Sequence, residues 1–222
     1  VGDAVAAYAL ESPPPTAPRS RTRPAQRSQP MDHKPIGAGN SSFDLVDEKR
    51  LFAELNLREG QVLLDAGCGP GHYALAASRH VTRSGKVYAM DLWEEGIETL
   101  RSAATARGIN HLDARVADIA QRIPLDDDEV DVVLMVAVLH DLLREQSHDA
   151  ALAEVERVLD PTGVFAVVEF RKLRGSPGPP VEVRLSPLEV EDLLRPHRFS
   201  LERSVEVGPF HYLSLFHSDQ RM

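Results

Sequence analysis

Three glycines and an aspartate crowd the end of an apolar run. LLDAGCGPGHY, residues 63–73, places Asp65 two residues before Gly67, with Gly69 and Gly71 following at alternate positions. A glycine turn between a strand and a helix lets backbone N–H groups approach a ligand, often a phosphate held at the helix N-terminus. The spacing here is G-x-G-x-G, so the third glycine comes one residue too early for the dinucleotide fingerprint G-x-G-x-x-G. Asp65 would repel a pyrophosphate, and the absence of a following Gly-Lys-Ser/Thr excludes a Walker loop. The carboxylate suits a ligand with a positive group near the turn, and the glycines suit close backbone approach.

S-adenosylmethionine carries an ammonium and a sulfonium, and its carboxylate can use the N-terminus of the helix that starts near His72. The segment Asp65-Ala66-Gly67-Cys68-Gly69-Pro70-Gly71 resembles motif I, D-x-G-C-G-x-G, of the class I S-adenosylmethionine-dependent methyltransferases. The resemblance implies that Asp65, Gly67, Cys68, Gly69 and Gly71 hold that cofactor. Asp91 ends the second strand, where a carboxylate can accept both ribose hydroxyls, a feature that dinucleotide-binding proteins share; Leu92 beside it is counted with the cofactor-contacting positions. Asp118, in RVADIA, resembles the family position that meets the adenine amino group, with Ile119 beside the base; a turn or cap role is the alternative. Trp93 either walls the adenosine or simply packs.

Methyl transfer from a sulfonium is an in-line displacement, so the chain has to hold nucleophile and methyl together and exclude water. Groups that assist the acceptor belong where the fourth and fifth strands end. AVLHDLL puts His140 and Asp141 past the fourth, with His140 a general base or a substrate hydrogen-bonder and Asp141 alternatively a cap. Glu169 closes the fifth strand and is read either as substrate-facing or as the ion-pair partner of Arg171 or Lys172. Of His211 and Tyr212, alternation lets one face the pocket. Asp44 and the IGAGNSSF segment are read as a lid. Arg184 and RKLRGSPGPP are read as local positive charge for an anionic substrate. The nine histidines show no metal-binding spacing, so no metal is expected. Arsenite methylation would need several reactive thiols, whereas Cys68 is alone.

The elements that must position these residues alternate. SSFDLVDEKRLFAELNL, with Ser41 at capping-box spacing to Asp44, predicts a helix burying Phe43, Val46, Leu51, Phe52 and Leu55. QVLLDAG is a buried strand, and GHYALAASRHV the helix after it. KVYAMD, LDARVAD, VDVVLMVAVL and GVFAVVEF predict further strands, separated by the helix EEGIETLRSAATARG, with its glycine cap, and a helix over 148–159 that faces Leu152, Val155, Val158 and Leu159 inward. Ser186, Pro187 and Glu189 supply the cap signals for PLEVEDLLRP. FSLERSVEV and FHYLSLFHS form an antiparallel pair. The fold class expected is α/β: a doubly wound, Rossmann-like seven-stranded sheet, mostly parallel, with an antiparallel C-terminal edge hairpin. RVLDPTGVFAVVE resembles the R-V-L-K-P-G-G segment of ubiquinone/menaquinone-type methyltransferases, from which Asp160 and Thr162 depart.

The 222 residues carry a net charge of −9, which offers no broad basic field for nucleic acid or anionic lipid. No apolar stretch reaches the ~20 residues of a membrane span. The lone cysteine fits a reducing compartment, the cytoplasm. Residues 1–30, rich in Pro and Arg, are read as a disordered tail, whether upstream read-through, natural tail or targeting peptide, and 31–222 as the methyltransferase domain. The function expected is S-adenosylmethionine-dependent methyl transfer to a small-molecule acceptor. The alternatives are a Rossmann-type NAD-dependent oxidoreductase and a catalytically silent S-adenosylmethionine-binding protein.

Overall fold

The buried apolar runs become strands, and the segments of 3.6-residue periodicity become helices laid on them. The computed structural model describes residue 39 and residues 41–219. The expectations for residues 1–30, and for 36–38 and Asn40 of the lid segment, lie outside the described residues. Seven strands, β1 (Val62–Ala66), β2 (Lys86–Asp91), β3 (Leu112–Val116), β4 (Val130–Val136), β5 (Leu159–Phe170), β6 (Phe199–Glu206) and β7 (His211–Ser218), form one sheet in the order β3-β2-β1-β4-β5-β7-β6. The first five run parallel; β7 inserts antiparallel between β5 and β6, with Glu169 opposite Tyr212 and Phe170 opposite His211.

Strand side chains alternate, so the sheet has two apolar faces, and three helices cover each. One layer holds α1 (Glu48–Leu55), α2 (His72–Val81) and α3 (Glu94–Ala106), burying Leu51, Tyr73, Ile97 and Leu100. The other holds α4 (Leu139–Arg144), α5 (His148–Val158) and α6 (Pro187–Leu194), burying Leu139, Leu152, Val155 and Val190. The direction of winding reverses between β1 and β4. In an open α/β sheet this crevice, beyond the carboxyl ends of the strands, is where ligands bind.

Local signals set most boundaries. Ser186 accepts from the Glu189 N–H while the Glu189 side chain accepts from the Ser186 N–H, a complete capping box with Pro187 in the first turn. Gly108, with φ +64°, follows α3 as expected of a glycine cap. Three boundaries differ from the sequence reading. The first helix starts at Glu48, capped by Asp47, whose carboxyl accepts from Arg50 at 3.1 Å. Ser41 instead accepts from Phe43 at the head of a 3-10 turn over Phe43–Leu45. β4 ends at Val136, because Ala137 takes φ +55° and turns the chain into α4. Its apolar run continues only because Leu139 and Leu142 pack into the second layer, and periodicity alone cannot separate a short buried strand from a buried helix. β5 begins at Leu159, paired with Val130, and Asp160 and Thr162 are tied to each other at an irregularity in that ladder.

Candidate functional site

The three glycines of the turn serve three different ends. Gly67, Gly69 and Gly71 all have positive φ, +80°, +52° and +78°. A Cβ at Gly67 would fall 2.5 Å from Val138 Cγ2, and one at Gly71 would fall 2.4 Å from Leu100 Cδ2. These two glycines therefore allow the turn to press against the β4–α4 segment and against α3. A Cβ at Gly69 would meet nothing within 4 Å, so open space lies beside its backbone. The Gly67 and Cys68 N–H groups donate to Met90 O at 2.8 and 3.0 Å, and the Gly69 N–H donates to Asp91 Oδ2 at 2.7 Å. β1 and β2 thus end in one hydrogen-bonded unit.

Asp65 lies inside that unit. It is 1% exposed, and its Oδ2 has no hydrogen-bond partner. Burial, then the charge of Asp91, pushes its pKa up to about 7, against a hydrogen bond from the Ala74 N–H. An ionisable oxygen left unpaired in a core costs on the order of 1–3 kcal/mol or more. The Cys68 thiol is 6% exposed, and burial, then Asp65 and Asp91, drives its pKa well above the ordinary thiol range; it is a packed side chain, not a nucleophile. α2 begins after Gly71, which supplies no side-chain cap; Asp65 takes the Ala74 N–H, and the N–H groups before it are left for an anion.

Asp91 closes β2. Besides the bond from Gly69, its Oδ1 accepts from the Trp93 N–H at 2.8 Å, and each oxygen retains a lone pair. Leu92 is 39% exposed beside it. The Ala117 N–H donates to Asp91 O at 3.0 Å, which seats Asp118 next to this corner. Asp118 itself accepts from the Ala120 N–H and from Gln121 Nε2, both at 2.9 Å, so it builds its own turn. Ile119 is 7% exposed and packs into the second apolar layer. Trp93 is the N-cap residue of α3, and a Cβ at Gly96 in the first turn would fall 2.4 Å from its indole.

Across the turn, His140 and Glu169 meet. Glu169 is fully buried, and its oxygens lie 3.1 and 2.9 Å from His140 Nδ1 while Oε1 also accepts the His140 N–H at 3.2 Å. This corrects the ion-pair reading of Glu169, since Arg171 and Lys172 pair elsewhere, with Glu206 and Glu189. Asp141, for which a cap is the alternative reading, pairs with Arg144 at 2.9 Å, and its Oδ1 lies 3.8 Å from His140 Nε2. Val138, whose Cγ2 a Cβ at Gly67 would meet at 2.5 Å, is two residues before His140 in the chain.

Phe170 joins a second histidine to this wall. Its ring centroid is 6.5 Å from His140 and 4.1 Å from His211. His211 and Tyr212 point to opposite sheet faces, as alternation requires: His211 is fully buried, with neither ring nitrogen hydrogen-bonded, while the Tyr212 hydroxyl donates to Leu185 O. Burial lowers the His211 pKa to about 4, with Arg184 adding to the fall and Leu45 O opposing it. Neither Phe170 nor Val138 stands out in the sequence, because a lone apolar residue after a strand reads as core.

The Pro/Gly loop is organised from within. Arg184 is 3% exposed and donates to the carbonyls of Arg171, Leu173, Ser176, Pro177 and Pro179. A cation so occupied is not available to an anionic substrate, which corrects the reading of Arg184; of the loop's other cations, Arg171 and Lys172 pair with Glu206 and Glu189 while Arg174 is exposed. A cavity of about 280 Å³ opens between this loop and the hairpin, lined by Arg171, Leu173, Pro187, Val205 and Tyr212. The lid reading of Asp44 gains a frame from its neighbours: Ser42 bonds to the Tyr73 hydroxyl at 2.9 Å, Ser41 to His72 at 3.1 Å, and the Asp47 N–H to Val207 O at 2.9 Å. Asp44 itself is exposed.

A family described as methyltransferase domain matches residues 64–167. The ubiquinone/menaquinone biosynthesis C-methyltransferase UbiE of Cupriavidus metallidurans is 33% identical over 122 residues, 55% of this chain and 48% of that protein. The chain thus spans about half the length of the curated relatives it matches. Among solved structures, a SAM-dependent methyltransferase from Aquifex aeolicus is 30% identical with a TM-score of 0.72, covering 79% of this chain and 92% of that one. The PH0226 protein of Pyrococcus horikoshii, at 22% identity and a TM-score of 0.64 over 80% of this chain and 90% of that one, shares the fold. Likeness across nearly the whole Aquifex chain joins a D-x-G-C-G-x-G turn with a buried, unpaired aspartate at the switch point of a seven-stranded sheet. The chain belongs to the class I S-adenosylmethionine-dependent methyltransferase family.

Proposed function

We propose that this protein transfers a methyl group from S-adenosylmethionine to a small-molecule acceptor, and that residues 31–222 form the domain responsible. The observation that carries the reading is Asp65 Oδ2, buried and unpartnered in the turn whose Gly69 has open space beside its backbone. A positive ligand would satisfy that atom, whereas a pyrophosphate would worsen its position, so the orphan oxygen weighs against the NAD-dependent alternative.

The remaining groups fit the rest of the cofactor. The N–H groups at the start of α2 suit its carboxylate. Asp91 keeps a lone pair on each oxygen for ribose hydroxyls, and Leu92 and Ile119 offer apolar surface to the base. Asp118, already bonded within its turn, retains acceptor capacity for an exocyclic amine. When bound, the cofactor supplies a methyl carbon activated by the sulfonium, so the chain's task is alignment and exclusion of water. His140, held by Glu169 and two residues from Val138, is the candidate polar group on the acceptor side. Among the described residues no helix is long and apolar enough to cross a membrane. We place the protein in the cytoplasm, where a lone buried thiol stays reduced, and the acidic charge argues against nucleic acid as acceptor.

Calorimetry with S-adenosylmethionine and with NAD tests the cofactor, and NAD binding without a response to S-adenosylmethionine would refute the reading. Turnover against quinols, phenols, thiols and amines separates an enzyme from a silent binder.

A further inference from the structure

His140 is enclosed by carboxyl groups on both sides of its ring. Glu169 reaches Nδ1 with both oxygens, at 3.1 and 2.9 Å, and Asp141 Oδ1 stands 3.8 Å from Nε2, too far to bond. Arg144 ties Asp141 at 2.9 Å, which keeps it from closing on the ring. Glu169 is fully buried, its hydrogen bonds are with His140 alone, and the His140 N–H and Nδ1 both lie within hydrogen-bond reach of its Oε1. Arg171 and Lys172, two residues and three residues along, are engaged by other acids. His211, across Phe170, is buried and offers no charge to the pair.

We infer that Glu169 is a positioning residue that holds His140 as an imidazolium, so that the acceptor side presents an Nε2–H donor and not a base. The inference rests on the methyltransferase reading for its purpose, though not for its observation. A buried carboxylate whose hydrogen bonds come from one imidazole is stabilised by that imidazole's positive charge. Burial of His140 alone would lower its pKa, but the hydrogen bond and charge of Glu169, with Asp141, outweigh it against a pull from Arg144, and the net direction is up. With Nδ1 committed to Glu169, Nε2–H is the group left for a ligand, and the side chain keeps 6% exposure. A donor at this place favours acceptors that bear an anionic oxygen on or next to the methylated atom, such as an enolate, phenolate or carboxylate, deprotonated before they bind. It disfavours acceptors that must surrender a proton to the enzyme.

The test reads the ring directly. In full-length 15N-labelled protein, without and with S-adenosylmethionine, the imidazole nitrogens of His140, assigned by their loss in His140→Gln, are expected to show the protonated pattern at pH 7. In Glu169→Gln the pattern should become that of neutral imidazole, with the midpoint lower by about one pH unit or more. A pyridine-type nitrogen on His140 at pH 7 in the wild type, or an unchanged midpoint in Glu169→Gln, would overturn the inference. If Glu169→Gln fails to fold by circular dichroism, Glu169→Asp keeps the charge at a longer reach and should lower the midpoint in part; no change there overturns it equally. With any acceptor that is turned over, the wild-type pH profile should descend at high pH, and the descent should move to lower pH in Glu169→Gln. An ascending limb that moves instead marks a base. If no acceptor is turned over, the methyl-transfer reading fails while the nitrogen spectra still decide the state of His140.

Discussion

Replacing Asp65 by asparagine should stabilise the ligand-free protein at alkaline pH while weakening its cofactor binding. The folded-state pKa is raised from 3.8 to about 7 by burial and by Asp91. A raised carboxyl pKa means that the fold favours the protonated form, so the contribution is fully present below the unfolded value and is lost as pH rises through about 7. At 1.36 kcal/mol per pH unit, ionising this group in the fold costs about 4 kcal/mol above pH 8 and about 1.5 kcal/mol at pH 5. The amide of Asp65→Asn can still accept from Ala74 but leaves an N–H unpaired, a penalty on the order of 1–3 kcal/mol at either pH. The penalty cancels in the comparison between the two conditions. The stability difference between variant and wild type should therefore move by about 2.5 kcal/mol in favour of the variant from pH 5 to pH 8. Urea unfolding followed by circular dichroism measures it. Over the same range, calorimetry should show S-adenosylmethionine affinity rising with pH in the wild type and flat in Asp65→Asn, which should bind roughly tenfold to hundredfold more weakly at pH 8. A stability difference that ignores pH, together with unchanged affinity, would show that Asp65 is neither strained nor a cofactor contact.

The glycines can be separated by their surroundings. Gly69→Ala, with open space at its Cβ, should lose only about 1–2 kcal/mol for its left-handed backbone yet bind cofactor poorly. Gly71→Ala adds a clash with Leu100 and should lose several-fold more of its stability in the same urea titration. Arg184→Met should cost on the order of 3 kcal/mol by leaving five carbonyls unpaired, and limited proteolysis should then cut within 171–184. Tyr73→Phe removes the buried bond to Ser42, and hydrogen exchange over residues 41–47 should quicken for a loss of about 1 kcal/mol. Because the His140 pKa is raised, its stabilising pairing with Glu169 is fully present below the unfolded value near 6.5 and fades as pH rises through the folded value. The stability gap between wild type and His140→Gln should accordingly shrink from pH 6 toward pH 9.

Much of the glycine turn is legible in the sequence because its geometry is local. Asp65, Gly67, Gly69 and Gly71 lie within seven residues, and their types at that spacing admit few ligands. Asp91 was placed by the end of its own strand, and the capping box of α6 by three residues in a row. The fold class followed from alternating periodicities, since a strand buried on both faces and an amphipathic helix each announce themselves over a short window. The boundaries that were misread, the head of α1 and the tail of β4, are places where an apolar residue packs equally well in either conformation. At β4, Ala137 takes a left-handed turn that its type does not advertise.

The acceptor side depended on contacts between distant segments. Glu169 and His140 lie 29 residues apart, and each was named, but neither carries a sign in sequence that its partner is the other. Glu169 was matched with its neighbours Arg171 and Lys172, while strand geometry sends those outward to Glu206 and Glu189 and turns Glu169 inward. Arg184 looked like a free charge until its loop closed around it. The sequence by itself determined the layers, the glycine turn and the sign of the charge its ligand must carry, because those rest on backbone conformation and nearest neighbours. Only the tertiary structure decided which buried acid meets which histidine, since in a low-dielectric interior a charge is defined by whatever group the fold brings within hydrogen-bond reach.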